Sequence, residues 1–220
     1  FSGTSIPIGG GSSTEDLSES LNARKGDPIW IDDNTILFWM TIRRGNRLFM
    51  ADISDPRHAV VQPVFLEAED ASPVAFYWQH MEPALSPDGR WLAFTRSGCA
   101  LADSFESCTN LSLQVLDMAT AGAGNSGYGA LVFPVTDEYS RIQKPAWSND
   151  GSKIIFSGGM DVSGSSGFGT ELYTIDFDTT GLADGTMVLD NNLDRLTFTD
   201  YTPGDPIQGI TNTSPQYTPD

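Results

Sequence analysis

Histidine and cysteine are scarce in this chain, two of each among 220 residues, and the scarcity removes most routes to catalysis near neutral pH. A serine, cysteine or threonine nucleophile needs a base beside it and a third group to orient that base. His58 follows Pro56 in a stretch that reads as a turn, and His80 follows the aromatic run Phe76-Tyr77-Trp78; both read as structural or surface histidines. There is no Gly-x-Ser-x-Gly elbow and no Cys-x-x-Cys-His for attaching haem. No catalytic residue, cofactor or metal ion is expected within these residues.

Positive charge is also sparse. Twelve Lys and Arg stand against 29 Asp and Glu, for a net charge of −17 and a pI near 4.2. Nucleic-acid binding needs clustered cations to displace counterions, and the one such cluster is Arg43-Arg44 with Arg47. Nucleic acid is therefore excluded as a partner, and anionic membrane surfaces are disfavoured for the same reason. No apolar run reaches the 18 or so residues of a membrane-spanning helix. The glycine-rich stretches 121–129 and 157–169 lack the Lys-Ser/Thr ending of a phosphate loop. Asp161, Ser163, Ser165 and Gly167 lack the later glutamate of a calcium loop. The acidic clusters Asp32-Asp33, Glu67-Glu69-Asp70 and Asp137-Glu138 fall where turns are expected and read as solvated surface.

What the chain does contain is a repeat. PALSPDGRWLAF, Pro83 to Phe94, returns 62 positions later as PAWSNDGSKIIF, Pro145 to Phe156. A degraded copy, PIWIDDNTILF, runs from Pro28 to Phe38, and a shortened one, PQYTPD, from Pro215 to Asp220. Each full copy joins an extended-favouring proline and an apolar segment, through a tight turn, to a β-rich run ending in Phe. That is a hairpin. In Ser86-Pro87-Asp88-Gly89 the proline presets φ, the aspartate bonds nearby backbone and the glycine accepts positive φ; Asn149-Asp150-Gly151 repeats the chemistry. Asp32-Asp33-Asn34 is one residue shorter and lacks glycine, so a different turn geometry is expected there. Alternating runs downstream, Arg47–Ile53, Ser112–Met118 and Glu171–Asp178, read as third strands, each closed by an aspartate: Asp52, Asp117 or Asp176. Leu193–Thr197 suits a fourth strand at a unit's edge, as does Val60–Glu67 in the first unit. Trp30, Trp91 and Trp147 fall in or beside the hairpins and are expected to pack between units.

With these residues in view the chain resembles the TolB-type, WD-like β-propeller repeat. The matching positions are Pro83, Ser86-Pro87-Asp88-Gly89 and Ala93-Phe94 in one unit. In the next they are Pro145, Trp147-Ser148, Asp150-Gly151, Ile155-Phe156, Glu171-Leu172-Tyr173 and Arg195-Leu196-Thr197. The resemblance departs in unit length: the prolines lie 55, 62 and 70 residues apart, against roughly 40–45 in common propeller repeats. It implies an all-β fold of four-stranded antiparallel blades, about three plus the start of a fourth, in an extracytoplasmic binding protein. Propellers close with about 4–8 blades, so three leave open ends. The last copy stops one residue before its expected glycine. The expectation is that a longer polypeptide supplies the remaining blades; the alternative is a short chain whose open sheet a partner covers.

The blades are expected over residues 27–220. Residues 1–26 read as a largely irregular extension with a short helix between Thr14 and Lys25, capped by Thr14. Phe1 in place of Met fits either a processed terminus or a truncation. Cys99 and Cys108 read as a disulfide stapling an insertion loop, 97–110, in preference to a metal pair, and imply an oxidising compartment. The sequons at Asn110 and Asn212 are expected to be unused in a protein of this resemblance. A protein partner or the subunits of a larger complex are expected to bind, in the periplasm or outside the cell. The candidate contact surface is a rim ledge of Phe76, Tyr77 and Trp78 with the insertions 97–110 and 157–170. The competing reading is the propeller portion of a larger enzyme, a prolyl-peptidase-like hydrolase or a carbohydrate-active protein, whose catalytic part lies elsewhere.

Overall fold

Alternation of apolar side chains over short runs, broken by Asp-Gly turns, builds antiparallel sheets and little else. The computed structural model describes residues 6–7, 14–15, 24–42, 45–55, 57–64, 76–102, 105–121, 132–136, 141–159, 171–177, 193–197 and 215. A two-residue ladder comes first, β1 (Ile6–Pro7) against β2 (Thr14–Glu15). Thr14 is thus extended and does not cap a helix. The rest of the expected helix, residues 16–23, lies outside the described residues.

Three four-stranded sheets follow among the described residues, each in simple chain order. The first is β3 (Lys25–Trp30), β4 (Thr35–Ile42), β5 (Gly45–Asp52) and β6 (Val60–Pro63). The second is β7 (Phe76–Leu85), β8 (Trp91–Ala102), β9 (Phe105–Asp117) and β10 (Val132–Thr136). The third is β11 (Arg141–Trp147), β12 (Lys153–Gly159), β13 (Glu171–Asp176) and β14 (Leu193–Arg195). These are propeller blades, three of them, not closed into a ring. Third strands stand where the alternation puts them. The fourth strands, β6 and β14 included, lie at sheet edges.

The blades stack face to face. Leu92, Phe94 and Leu116 of the second blade meet Leu37, Leu48 and Val64 of the first. The alternate residues Trp91, Ala93, Leu113 and Val115 meet Ile142, Trp147, Ile154, Phe156, Tyr173 and Ile175 of the third. Successive strand residues point to opposite faces, so a strand sandwiched between two sheets must be apolar at every position; WLAF is that pattern. Each large side chain buried this way contributes about 1.5–3 kcal/mol. A third cluster, Phe38, Met40, Phe49 and Ala51, lines the other face of the first blade. Trp91 and Trp147 pack between blades as expected, but Trp30 is 63% exposed. It lies in the same row as Ile36, on the face turned away from the second blade.

The first strands β3, β7 and β11 neighbour one another across the blades, so they form the inner edge of the stack. The fourth strand of the third blade is fastened by the Arg-Leu-Thr segment. Arg195 donates to Glu171 at 2.9 Å, Leu172 N–H donates to Thr197 Oγ1 at 2.9 Å, and the Thr197 hydroxyl donates to the Glu171 carboxylate.

Candidate functional site

The two strong copies of the turn are superimposable in their bonding. Ser86 N–H donates to the Trp91 carbonyl at 2.8 Å, while the Ser86 carbonyl accepts from Gly89 N–H at 2.9 Å. With that carbonyl occupied, Trp91 N–H turns to the Ser86 hydroxyl oxygen at 2.8 Å. The hydroxyl in turn donates to Asp88 Oδ1 at 2.5 Å, and Arg90 N–H donates to the same oxygen at 3.1 Å. In the next blade Ser148, Asp150, Gly151 and Lys153 repeat every bond. Ser152 N–H and hydroxyl both donate to Asp150 Oδ1, at 3.0 and 2.8 Å. Gly89 and Gly151 share φ +72°, a conformation that favours glycine. The donors hold both carboxyls below their ordinary range: Asp88 through the Ser86 hydroxyl first, Asp150 to about 2 through Ser148 and then Ser152. The first unit's turn differs, as its missing glycine predicts. Ile31 N–H donates to the Thr35 carbonyl at 2.9 Å, and Asp32 Oδ1 accepts Asn34 N–H at 2.8 Å.

Blade stacking brings the two strong turns to the same cleft. Its volume is about 610 Å³, and its lining includes Asp88, Arg90 and Trp91 from one side and Asn149, Asp150 and Phe177 from the other. Pro87 and Gly151 also line it. Phe177 meets Trp91 edge-on at 5.3 Å and Trp147 at 4.8 Å. Arg90 lies over the Trp91 ring at 4.9 Å and pairs with Asp117 at 3.2 Å.

A second polar cluster, which the sequence reading missed, sits at the inner edge. Asp27, Glu82 and Lys144 have φ of 48°, 56° and 51°. Each immediately precedes its repeat proline, and at each the register of the first strand slips: between Gly26 and Ile29, Met81 and Ala84, Gln143 and Ala146. Each is a β-bulge in which the proline, having no N–H, costs the ladder nothing. The proline therefore follows a left-handed residue inside the strand, where pre-proline sterics alone favour an extended one. The bulges turn three charged side chains toward one another. Lys144 Nζ lies 3.5 Å from both Asp27 Oδ1 and Glu82 Oε1, and Lys144 N–H donates to Glu82 Oε2 at 2.9 Å. Trp39 Nε1 donates to Asp27 Oδ2 at 2.9 Å, and only glycine at position 26 admits that indole, since a Cβ there would lie 2.4 Å from it. The signal was legible: all three charges stand one residue before a repeat proline.

The predicted rim residues and the cysteines share one piece of sheet. Residues 97–102 and 105–110 are no loop but the far end of the β8–β9 ribbon, where cross-strand pairing continues to Ala102↔Phe105. Tyr77 pairs with Cys99 and Cys99 with Cys108 in a single row across β7, β8 and β9; Phe76 and Trp78 occupy the flanking rows. Cys99 is buried and is not a free thiol. Of the histidines, His58 is exposed and bonded to Asp55 at 2.8 Å, and His80 is buried against Phe94. The glycine-rich residues 122–129 and 160–170, the acidic clusters at 67–70 and 137–138, the sequon at Asn212 and the last repeat copy beyond Pro215 lie outside the described residues.

No protein-family model and no curated protein matches the sequence. Among solved structures, the chain is similar over 76% of its length to TolB from Acinetobacter baumannii, at 17% identity and a TM-score of 0.38, covering 31% of that chain. It is similar over 83% of its length to a Mycobacterium tuberculosis puromycin-hydrolysing peptidase, at 15% identity and a TM-score of 0.49, covering 22% of that chain. The chain spans less than a third of either protein, and likeness of this degree carries no inference about activity or partner.

Proposed function

We propose that this chain is a non-catalytic binding or scaffolding module of an extracytoplasmic protein assembly, and that a protein partner docks on the long ribbon of the second blade. The observation that carries the reading is the length of that ribbon. β7, β8 and β9 run 10, 12 and 13 residues, whereas β4 and β5 run eight and β12 and β13 seven and six. Pairing beyond what a blade core needs is sheet built for something other than the core. Phe76, Tyr77 and Trp78, large aromatic residues of the kind enriched at interfaces, fall in its outer rows. We take Cys99 and Cys108 to be joined there. Their cross-strand register and the absence of a free thiol at Cys99 support the bond, and the bond supports an oxidising compartment.

The test compares the intact protein, in its native host, with a variant in which residues 97–110 are replaced by a two-residue turn. On a native gel the intact protein should run in a larger assembly and the variant should leave it. An intact protein that runs alone overturns the module reading; a variant that stays in the assembly overturns the ribbon as its contact.

A further inference from the structure

We propose that the cleft between the second- and third-blade turns receives a basic side chain, arginine or lysine, of a protein partner. The inference rests on reading the chain as a protein-binding module and names the chemistry that a second surface of it would recognise. Three features carry it. The cleft has room: about 610 Å³ exceeds one side chain. It offers charge, because Asp88 and Asp150 each commit Oδ1 to their own turn, leaving Oδ2 with no bond to the described residues. Both carboxyls are held ionised by hydroxyl and backbone donors. It also offers an apolar floor of Pro87 and Phe177, against which the aliphatic stem of a long basic side chain packs while its head stays polar.

The cleft already contains one example of the chemistry. Arg90 lies on the Trp91 ring and pairs with Asp117, an arrangement of π-face and carboxylate that suits a guanidinium. Arg90 makes its ion pair with Asp117; its charge reaches Asp88 only as the last of the effects that lower that carboxyl, and it is not among those that lower Asp150. A phosphate or carboxylate ligand would face two fixed anions; a cation faces two carboxylate oxygens.

The experiment titrates the full-length protein with the peptide acetyl-Gly-Arg-Gly-amide, and with its uncharged citrulline counterpart, following backbone amide shifts by NMR. The expected result is saturable shifts at Asp88, Asp150 and Phe177 with the arginine peptide, and none with the citrulline peptide. The double variant D88N/D150N keeps a carbonyl oxygen for each turn but replaces the second oxygen with an amide NH2; with a preserved near-UV spectrum, it should bind at least tenfold more weakly. Equal response to both peptides, shifts that map elsewhere, or unchanged binding by the variant overturns the proposal. A cleft that ignores arginine leaves the ribbon's native-gel result untouched, and a lone protein on that gel leaves the titration untouched, so the two readings fail separately.

Discussion

Trp30 and Trp147 hold the same place in two copies of the repeat, two residues after the proline and paired to the first apolar residue of the next strand, yet Trp147 is 7% exposed and Trp30 63%. In the third blade this row faces the second blade, and in the second blade Leu85, its counterpart, faces the first. The row in the first blade therefore faces the position of a preceding blade. Trp147→Ala should cost about 3–5 kcal/mol in denaturant unfolding. Trp30→Ala in the 220-residue chain should change stability by less than about 0.5 kcal/mol. Ring closure onto this face by a further blade, in the same polypeptide or from a partner, predicts a loss at Trp30 that approaches that at Trp147; an equally small loss in the native assembly refutes closure at this face.

Ser86 carries the closing bond of its hairpin through a side chain, because its carbonyl is taken by Gly89. Ser86→Ala leaves the buried Trp91 N–H without that acceptor and should destabilise by about 1–3 kcal/mol. Ser148→Ala should do the same in the third blade. Urea midpoints read both; a neutral outcome for either means the turn closes by another route.

The Ser148 hydroxyl, and then the Ser152 N–H and hydroxyl, hold the Asp150 carboxyl down to about 2, below the ordinary aspartate value of 3.8. A depressed carboxylate contributes stability that is full above its unfolded pKa and is lost as pH falls through the folded one. Melting temperatures of the parent protein and Asp150→Asn should therefore differ most above about pH 4 and converge toward pH 2. Asp88, also lowered but without so large a shift, should show the same sign.

Lys144 stands between Asp27 and Glu82 at 3.5 Å from each. Because the ammonium is partly solvated, its coupling to Glu82 should be about 0.2–1 kcal/mol in a double-mutant cycle of Lys144→Met and Glu82→Gln, and should shrink in high salt. A coupling of zero, or one insensitive to salt, denies the pair a role in holding the inner edge.

Cys99 and Cys108, opposed across β8 and β9, should resist alkylation in denaturant until reductant is added. Reduction, or replacement of both by Ser, should lower stability by about 2–3 kcal/mol. Two thiols that react before reduction would overturn the bond.

Legibility followed locality. The Asp-Gly turns, the hairpins they close and the third strands were readable because each depends on a few consecutive residues and on period-two alternation. The fourth strand of the third blade was readable too, although the reason for Arg195 and Thr197, their hold on Glu171, appeared only in space. The 97–110 segment was misread as a loop because polar residues such as Ser97 and Ser107 stay extended through pairing with neighbouring strands, Ser97 with Gln79 and Ser107 with Ala100. Trp30 was misread because burial depends on what stands opposite, and nothing within the repeat says which copy has no described blade before it.

By itself, then, the sequence determined the unit: a Pro-to-Phe hairpin with an aspartate-held turn, used repeatedly in an acidic, histidine-poor chain. Those features arise from backbone sterics, local hydrogen bonding and composition, which act between near neighbours. Only the tertiary structure decided that three charged residues before the repeat prolines meet at the inner edge, and that two turns 62 residues apart share one cleft. Such meetings depend on how one sheet stacks on the next, a relation between units that no single unit encodes.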